Sequence, residues 1–581
     1  INIISRQITS KRVNKKINKQ DENQISYKEL LFLYPYLKNT KTLLAFGLIG
    51  MVIASLIIAP IPYIIGYIID KVILLNKSYD QLLKTTLILL LIYCINYLIS
   101  IGYEYLFTRV QQNVVNEIRL SMISNIIDAP LSYINQKEKG YILSRIAESG
   151  NVSALFSPNL LRVFSGIFDF FFALFIMFNL SVKLTGIIVI IIPIYFIISK
   201  HSSKMISKST TNVYESSAVL NAEMYETLNG IEDIKLLNGK NIQTNKIKSK
   251  LNNVIKSALK QNLHFIFFMQ NLIVTNNFVT VIVLLVSGIL ILQNQLTIGV
   301  YTSFSIYMAK LLATTQALGS LDITLKPVCI SIKRIKEFFN LDVENTLGTN
   351  IMKEPINSIE FKDVCFKYNG NSDLIFDHLN VQIEKGDKLL IDGINGSGKS
   401  TFIKLLTGLY QPESGKILIN NIDYNLIHKE SVRDRIGIVS QNIFLFKGTI
   451  LDNILYGQTN KTKEDVVKLM KRYHLTSHLN RFENGLDTII VQDGSSVSGG
   501  QAQFIAFLRA ILTKRDIIIL DEAASNLHID TRNLMYEILQ NYNLCNILIM
   551  ISHQQDGLYF LNKTLELTHG NKRIALNGSM L

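Results

Sequence analysis

The residues from Gly393 to Thr401 read G-I-N-G-S-G-K-S-T. An apolar run, Lys388-Leu389-Leu390-Ile391, precedes them, and a run of helical character, Phe402 to Leu409, follows. Strand, glycine-rich turn and helix in that order make a phosphate cradle. Gly393, Gly396 and Gly398 let backbone N–H groups crowd around phosphate oxygens, with Asn395 and Ser397 on the same turn. The helix N-terminus adds partial positive charge. Lys399 is placed to reach the β- and γ-phosphates of a nucleotide, Ser400 to hold Mg²⁺, and Thr401 completes the motif.

Two further stretches carry chemistry that a phosphate cradle needs. Ile517-Ile518-Ile519-Leu520-Asp521-Glu522 is an apolar strand, of the kind buried on both faces, that ends in two carboxylates. Asp521 is placed to bind Mg²⁺, and Glu522 to polarise an attacking water. Val497-Ser498-Gly499-Gly500-Gln501 follows a loop and opens a helix, so its small residues present backbone N–H groups as a second anion site.

The elements that must position these residues divide the chain. In 581 residues, hydrophobic types make up 48% and mean hydropathy is +0.25, high for a soluble enzyme. The net charge of +14 raises the question of nucleic acid, but many basic residues flank apolar spans, where membrane topology places them. The sequence is therefore read as having no nucleic-acid partner. Four scattered cysteines, Cys94, Cys329, Cys365 and Cys545, exclude a disulfide scaffold and a zinc motif recognisable by spacing. No cleavable signal peptide is visible, and the start at Ile1 leaves open a trimmed upstream domain, such as a leader peptidase.

Residues 1–40, with Arg6, Lys11, Arg12, Lys15, Lys16 and Lys19, read as a cytoplasmic tail and elbow on a membrane face. Residues 41–337 read as an all-α membrane domain with six spans near 42–69, 83–108, 159–181, 183–200, 263–293 and 298–324. Pro60 and Pro62 predict a kink in the first. The connections near 70–82, 179–183 and 292–297 are short, whereas 109–158 and 200–262 are long, basic loops. That asymmetry predicts a multi-pass membrane protein, surrounded by lipid, with both termini cytoplasmic. Asp169 and Lys310 fall inside spans, each roughly 18 Å from an outer end. Two readings stay open for them: lining a translocation cavity, where they pair, or snorkelling to separate partners. Residues 338–356 read as a linker. Residues 357–581 follow an α/β pattern, with strands at Ile359–Phe366, Lys388–Ile391, Lys416–Ile419, Ile436–Val439, Ile517–Leu520 and Ile547–Ile551, and helical runs at 463–472 and 499–513.

With these motifs together, the chain resembles an ATP-binding cassette (ABC) exporter half-transporter from about residue 28 to 575. Gly393–Thr401 and Ile517–Glu522 match the family's Walker motifs, and Val497–Gln501 resembles its signature motif, with Val for the usual Leu. The resemblance implies a head-to-tail dimer in which Ser498 and Gly500 of one cassette close on the γ-phosphate held by the other. It further implies that Tyr368 stacks on adenine, that Gln441 contacts Mg²⁺ and water, and that His553 contacts the γ-phosphate. Ala129–Lys137, followed by Gly140 and Arg145, resembles the first coupling helix region, and Asn221–Lys235 the second.

The chain also departs from the family pattern. His528 stands where Asp is usual, Ala502-Gln503-Phe504 lacks the expected Arg, Gln492 replaces a Glu, and Gln554-Gln555-Asp556 replaces a basic residue. The resemblance nonetheless implies ATP-driven export of an amphipathic or peptide substrate, with ATP and Mg²⁺ as cofactors. A homodimer is the expected assembly, and a heterodimer with one weak site is the alternative. A sensor, a channel or an immunity partner with weak hydrolysis is the rival reading.

Overall fold

The computed structural model describes residues 27–581 apart from 138, 320, 342–343, 345–347, 349, 369–372, 492–496, 526, 553–557, 568–571 and 576–581. The expected His553 therefore lies outside the described residues, as do the N-terminal basic residues, Gln492 and 554–556. The chain falls into two compact units, Ile1–Ile127 with Lys137–Leu341, and Asp128–Gln136 with Asp342–Leu581.

The first unit is helical. Helices α1 (Lys41–Ile58) and α2 (Ile61–Tyr67) form the first span, broken at Ala59 and Pro60 and continued by a π-helical stretch, Ile68–Asn76. The break follows from the two prolines, neither of which can donate a helical hydrogen bond. Then come α3 (Tyr79–Ile127), α4 (Pro158–Leu180), α5 (Val182–Asn229), α6 (Lys240–Leu292), α7 (Ile298–Gly319) and α8 (Leu321–Ile335). The hydroxyls of Tyr307 and Ser303 on α7 donate to the carbonyls of Ala59 (2.7 Å) and Pro62 (2.8 Å). Backbone polar groups exposed at the break thus find partners on a neighbouring helix, as the absence of water in a bilayer core demands.

Two expectations change here. The segments 109–158 and 200–262 are not loops: α3, α5 and α6 run through much of them and have 49, 48 and 53 residues. At ~1.5 Å per residue each is over 70 Å long, more than twice a ~30 Å hydrocarbon layer. Their basic stretches are therefore helical extensions beyond the apolar windows. Among the described residues, five helices are long and apolar enough to cross a membrane, and α7 is not one of them. Its 22 residues suffice in length, but Ser303, Phe304, Tyr307, Met308, Leu311, Leu312, Thr314 and Thr315 are buried within the protein. A helix shielded by other helices does not need a lipid-facing apolar surface. Its close fit depends on small residues: a Cβ on Gly299 would stand 2.2 Å from the carbonyl oxygen of Gly66.

The second unit is α/β. Its strands are β1 (Ser358–Phe366), β2 (Phe376–Glu384), β3 (Lys388–Asp392), β4 (Ser414–Ile419), β5 (Ile422–Asp423), β6 (Ile436–Val439), β7 (Gly448–Thr449), β8 (Ile489–Ile490), β9 (Ile517–Asp521), β10 (Ile547–Ile551), β11 (Lys563–Leu567) and β12 (Lys572–Ala575). One sheet has the order β2-β1-β4-β5 and is antiparallel. The larger sheet has the order β12-β11-β3-β10-β9-β6, parallel except for β12. Its central strands are buried on both faces: Ile517 and Ile519 enter one core, Ile518 and Leu520 the other. Helices around the sheets include α9 (Lys399–Leu406), α10 (Lys463–Arg472), α11 (Gly499–Ile511) and α12 (Ile529–Asn541). Part of the stretch read as linker packs here, since Met352 and Ile356 are buried in the β1–β4 core and Glu344 pairs with Arg433 at 2.5 Å.

Candidate functional site

Parallel strands that share a register end together, and this alone gathers most of the chemistry. Ile391 lies opposite Ile551, Ile551 opposite Asp521, and Val439 opposite Leu520. The loops leaving β3, β6 and β9 therefore emerge along one edge, bringing Gly393–Thr401, Gln441 and Asp521–Glu522 to one place.

The phosphate loop has the backbone that the motif requires. Gly393 (φ 148°), Gly396 (φ 84°) and Gly398 (φ 101°) occupy conformations that side-chain-bearing residues rarely adopt. A Cβ on Gly393 would stand 2.3 Å from the Leu567 carbonyl oxygen, and one on Gly398 2.8 Å from Ile375. Gly398 starts α9, which therefore begins at Lys399 rather than at the expected Phe402. The Lys399 ammonium is buried and donates to the carbonyls of Gly393 (2.5 Å) and Ile394 (3.2 Å). Among the described residues the buried Ser397 hydroxyl has no hydrogen-bond partner. An orphaned hydroxyl and a cation inside a ring of glycine amides fit a polyphosphate, which would satisfy them together.

The metal-side residues fit as well. Asp521 is buried and bonds with the Ser400 side chain. Burial, then the neighbouring Glu522, holds its carboxyl above the usual carboxylate range, against the pull of Ser400, Lys399 and Lys404. A hard divalent cation would supply the missing positive charge, and the Ser400, Asp521 and Gln441 side chains are oxygen donors of the kind Mg²⁺ takes.

Glu522 holds a left-handed backbone (φ 51°), unusual for a residue with a side chain. Its N–H donates to the Ile551 carbonyl at 3.0 Å. Its carbonyl accepts from the Ser525 N–H (3.2 Å), the Ser525 hydroxyl (2.9 Å) and the Gln503 amide (3.2 Å). Its carboxylate accepts from the Gln441 amide at 2.9 Å. A carboxylate aimed by a fixed donor beside a phosphate cradle can act as a base towards a bound water. Gln503 is a contributor that sequence reasoning missed. In the sequence it stands inside a helix, and only the fold shows this buried amide also donating to the Ser525 hydroxyl at 3.2 Å.

Tyr368 is part of the same group. Its hydroxyl bonds with Thr401 Oγ1 at 3.1 Å, and Tyr410 meets its ring edge-on at 5.1 Å. The Lys404 ammonium lies 5.4 Å from the Tyr368 ring centre. Tyr410 in turn accepts a hydrogen bond from Asn135 at 2.9 Å, within the segment Asp128–Gln136 that folds with this unit.

Ser498–Gln501 do not join this group within one chain. The Ser498 hydroxyl accepts from the Gln501 N–H (3.2 Å), and the Gln501 side chain accepts from the Ser498 N–H (2.8 Å), a reciprocal cap on α11. Ser498, Gly500 and Gln501 line a separate cavity of about 420 Å³ with His478, Phe504, Leu527 and His528. Gly499 is exposed beside them at the helix start. Phe504, where the family pattern has a basic residue, instead packs against the His478 ring at 5.4 Å. His528 precedes α12 and pairs with Asp530 at 3.2 Å.

In the helical unit, the two charges expected inside spans meet. The Lys310 ammonium lies 3.9 Å from an Asp169 oxygen, which also accepts from the Ser55 hydroxyl at 2.5 Å.

Comparison with known proteins gives two family matches, "ABC transporter transmembrane region" over residues 44–315 and "ABC transporter" over residues 376–525, together well over half of the chain. The chain is 27% identical to the alpha-hemolysin translocation ATP-binding protein HlyB of Escherichia coli O157:H7, over 88% of this chain and 72% of that protein. It is 26% identical to the transport/processing ATP-binding protein ComA of Streptococcus pneumoniae serotype 4, over 90% and 73%. It is also 26% identical to the ATP-dependent lipid A-core flippase of Vibrio vulnificus, over 80% of each.

Proposed function

The chain belongs to the ABC transporter family, a multi-pass membrane region fused to an ATP-hydrolysing cassette, and on that premise we propose that it exports an amphipathic or peptide substrate by alternating access. The observation that carries the reading is the convergence of the phosphate loop, Asp521, Glu522 and Gln441 at one sheet edge. Lys399 and the amides of Gly393–Thr401 bind the β- and γ-phosphates, and Tyr368 stacks on adenine. Ser400, Asp521 and Gln441 would hold Mg²⁺, which supplies positive charge against the charge that develops on the phosphoryl oxygens. Glu522, aimed by Gln441, takes a proton from the attacking water.

Half-transporters of this family work in pairs, and the proposed partner is a second copy of this chain. The exposed Ser498 and Gly499 and the half-buried Gly500 at the start of α11 support a role across that dimer, because among the described residues they take no part in the phosphate-loop group of their own chain. Closure of two cassettes on ATP shifts an equilibrium between inward- and outward-facing forms, and hydrolysis resets it. The proposed location is the plasma membrane with cytoplasmic termini. Relatives named for hemolysin translocation and for lipid A-core flipping support a polypeptide or amphipathic lipid substrate. The Asp169–Lys310 pair is proposed to line the translocation path. A second reading, one half of a heterodimer with a weakened site, is favoured by His528 and Phe504 beside Ser498.

The test is transport into inside-out proteoliposomes. Mg²⁺ and ATP should drive uptake of fluorescent amphipathic peptides or lipids, and Glu522→Gln should abolish it. No ATP-dependent uptake across such a panel, with ATP turnover intact, would overturn the export reading.

A further inference from the structure

We propose that the β1–β2 hairpin forms a metal site, in which Cys365 Sγ, an Asp377 carboxylate oxygen and His378 Nε2 bind one divalent ion of the Zn²⁺ class, with Asp363 steering the imidazole. The proposal concerns residues outside the nucleotide group and does not depend on its function.

The site is built by two irregularities in strand pairing. Phe366 pairs with Phe376 and Val364 with Leu379, so both Asp377 and His378 stand opposite the single residue Cys365. Phe361 pairs with Val381, so Lys362 and Asp363 stand opposite Asn380 alone. These are β-bulges, which re-aim side chains that a regular ladder would send to opposite faces. The two bulged strands each hold a left-handed residue, Asp363 (φ 53°) and His378 (φ 51°). Both positions are unusual for residues bearing side chains, and each presents a potential ligand or its support.

The atoms then converge. One ligand atom each from Cys365, Asp377 and His378 lies within 4.8 Å of the others. In a tetrahedral zinc site with bonds of 2.0–2.3 Å, ligand atoms lie roughly 3.3–3.8 Å apart, so a small side-chain adjustment closes the set. His378 Nδ1 is 2.6 Å from Asp363, which fixes the proton on that nitrogen and turns the Nε2 lone pair towards Asp377, 3.8 Å away. A carboxylate behind a ligating imidazole is a recurrent support in metal sites. The His378 N–H donates to Cys365 Sγ at 3.3 Å, which holds the sulfur beside the residue that carries the imidazole. Cys365 is buried while Asp377 and His378 are exposed, so the site has a shielded sulfur and an open approach. Sulfur, nitrogen and one carboxylate suit zinc or cobalt rather than Mg²⁺ or Ca²⁺. On binding, the thiol releases its proton to solvent, and water takes the remaining position. The ion would cross-link the two strands next to Phe366, whose ring packs at 5.1 Å on Tyr368.

The test uses the chain in lipid nanodiscs, stripped with a chelator and titrated with Co²⁺. Thiolate-to-cobalt charge transfer gives an absorption band to which oxygen-only sites do not contribute. The expected result is a band that saturates at one Co²⁺ per chain and is erased by Zn²⁺. Cys365→Ser should lose it, and Asp377→Asn, His378→Ala and Asp363→Asn should bind about 10–100-fold more weakly. The other thiols are poor competitors where burial holds the proton: Cys329 is raised, and Cys545 is pushed up to about 11. No band in the unaltered chain, or the same band in Cys365→Ser, would overturn the proposal. ATP turnover of each variant reports folding. If Cys365→Ser loses turnover, the exposed His378→Ala decides, and unchanged cobalt affinity there would equally overturn it.

Discussion

Glu522 shows how a single residue is held ready for chemistry. Its left-handed backbone is a strained choice, and three donors on its carbonyl hold it there. Replacing Gln503 with Leu leaves that carbonyl one donor short and removes the amide donor to the Ser525 hydroxyl. One such hydrogen bond contributes about 0.5–1.5 kcal/mol, so kcat should fall roughly 2–10-fold while nucleotide affinity stays near its starting value. Steady-state turnover beside equilibrium nucleotide binding measures this; an unchanged kcat would mean that Gln503 does not position Glu522. Asp521 gives a prediction in pH. Its carboxyl is raised in the folded protein, so the folded state holds that proton more tightly than the unfolded one. The group therefore favours the fold at acid pH and opposes it once pH rises above the raised value. Asp521→Asn should raise the melting temperature of the nucleotide-free protein at neutral pH, by roughly 2–4 °C for about 1 kcal/mol, and remove any further rise with Mg²⁺ and ATP. The phosphate loop was legible in the sequence because its chemistry depends on local spacing. Gln503 was not, since its role is a contact across the fold.

Among the elements, legibility followed burial. The strands β3, β6, β9 and β10 are continuous apolar runs because both sheet faces are covered, and they stand out in the sequence. Strand β2, Phe-Asp-His-Leu-Asn-Val-Gln-Ile-Glu, alternates buried and exposed residues and carries a bulge, so its polar positions conceal it. The extensions of α3, α5 and α6 were read as loops because charge, rather than period, dominates those stretches. The first-span break was legible from Pro60 and Pro62, whereas the partners of Ala59 and Pro62 on α7 were not. At this scale the contact between α2 and α7 is testable. Gly299→Val would force its side chain into the Gly66 carbonyl and Asp70. It should lower the thermal stability of the membrane unit and reduce transport, whereas Gly288→Ala, where a Cβ meets nothing within 4 Å, should leave both unchanged. Fluorescence-detected thermal unfolding in detergent distinguishes the two variants. Asp169→Asn and Lys310→Met should each reduce substrate-stimulated turnover several-fold while basal turnover persists. Unchanged stimulation in both would remove them from the substrate path.

For the whole molecule, the membrane spans and the cassette account for the family, and the nucleotide group accounts for the work that drives transport. The central claim is that two copies of this chain suffice for hydrolysis, with the α11 start of one completing the phosphate site of the other. The departures at His528 and Phe504 bear on that claim more than on any other, because they line the same cavity as Ser498. The most direct measurement is the ATPase rate of this chain alone in lipid nanodiscs, beside its Glu522→Gln variant. The account predicts clear Mg²⁺-dependent turnover, and at least a ~100-fold loss in the variant with ATP still bound. Bound ATP without turnover in the unaltered chain would contradict it, and would assign hydrolysis to a pairing with a different chain.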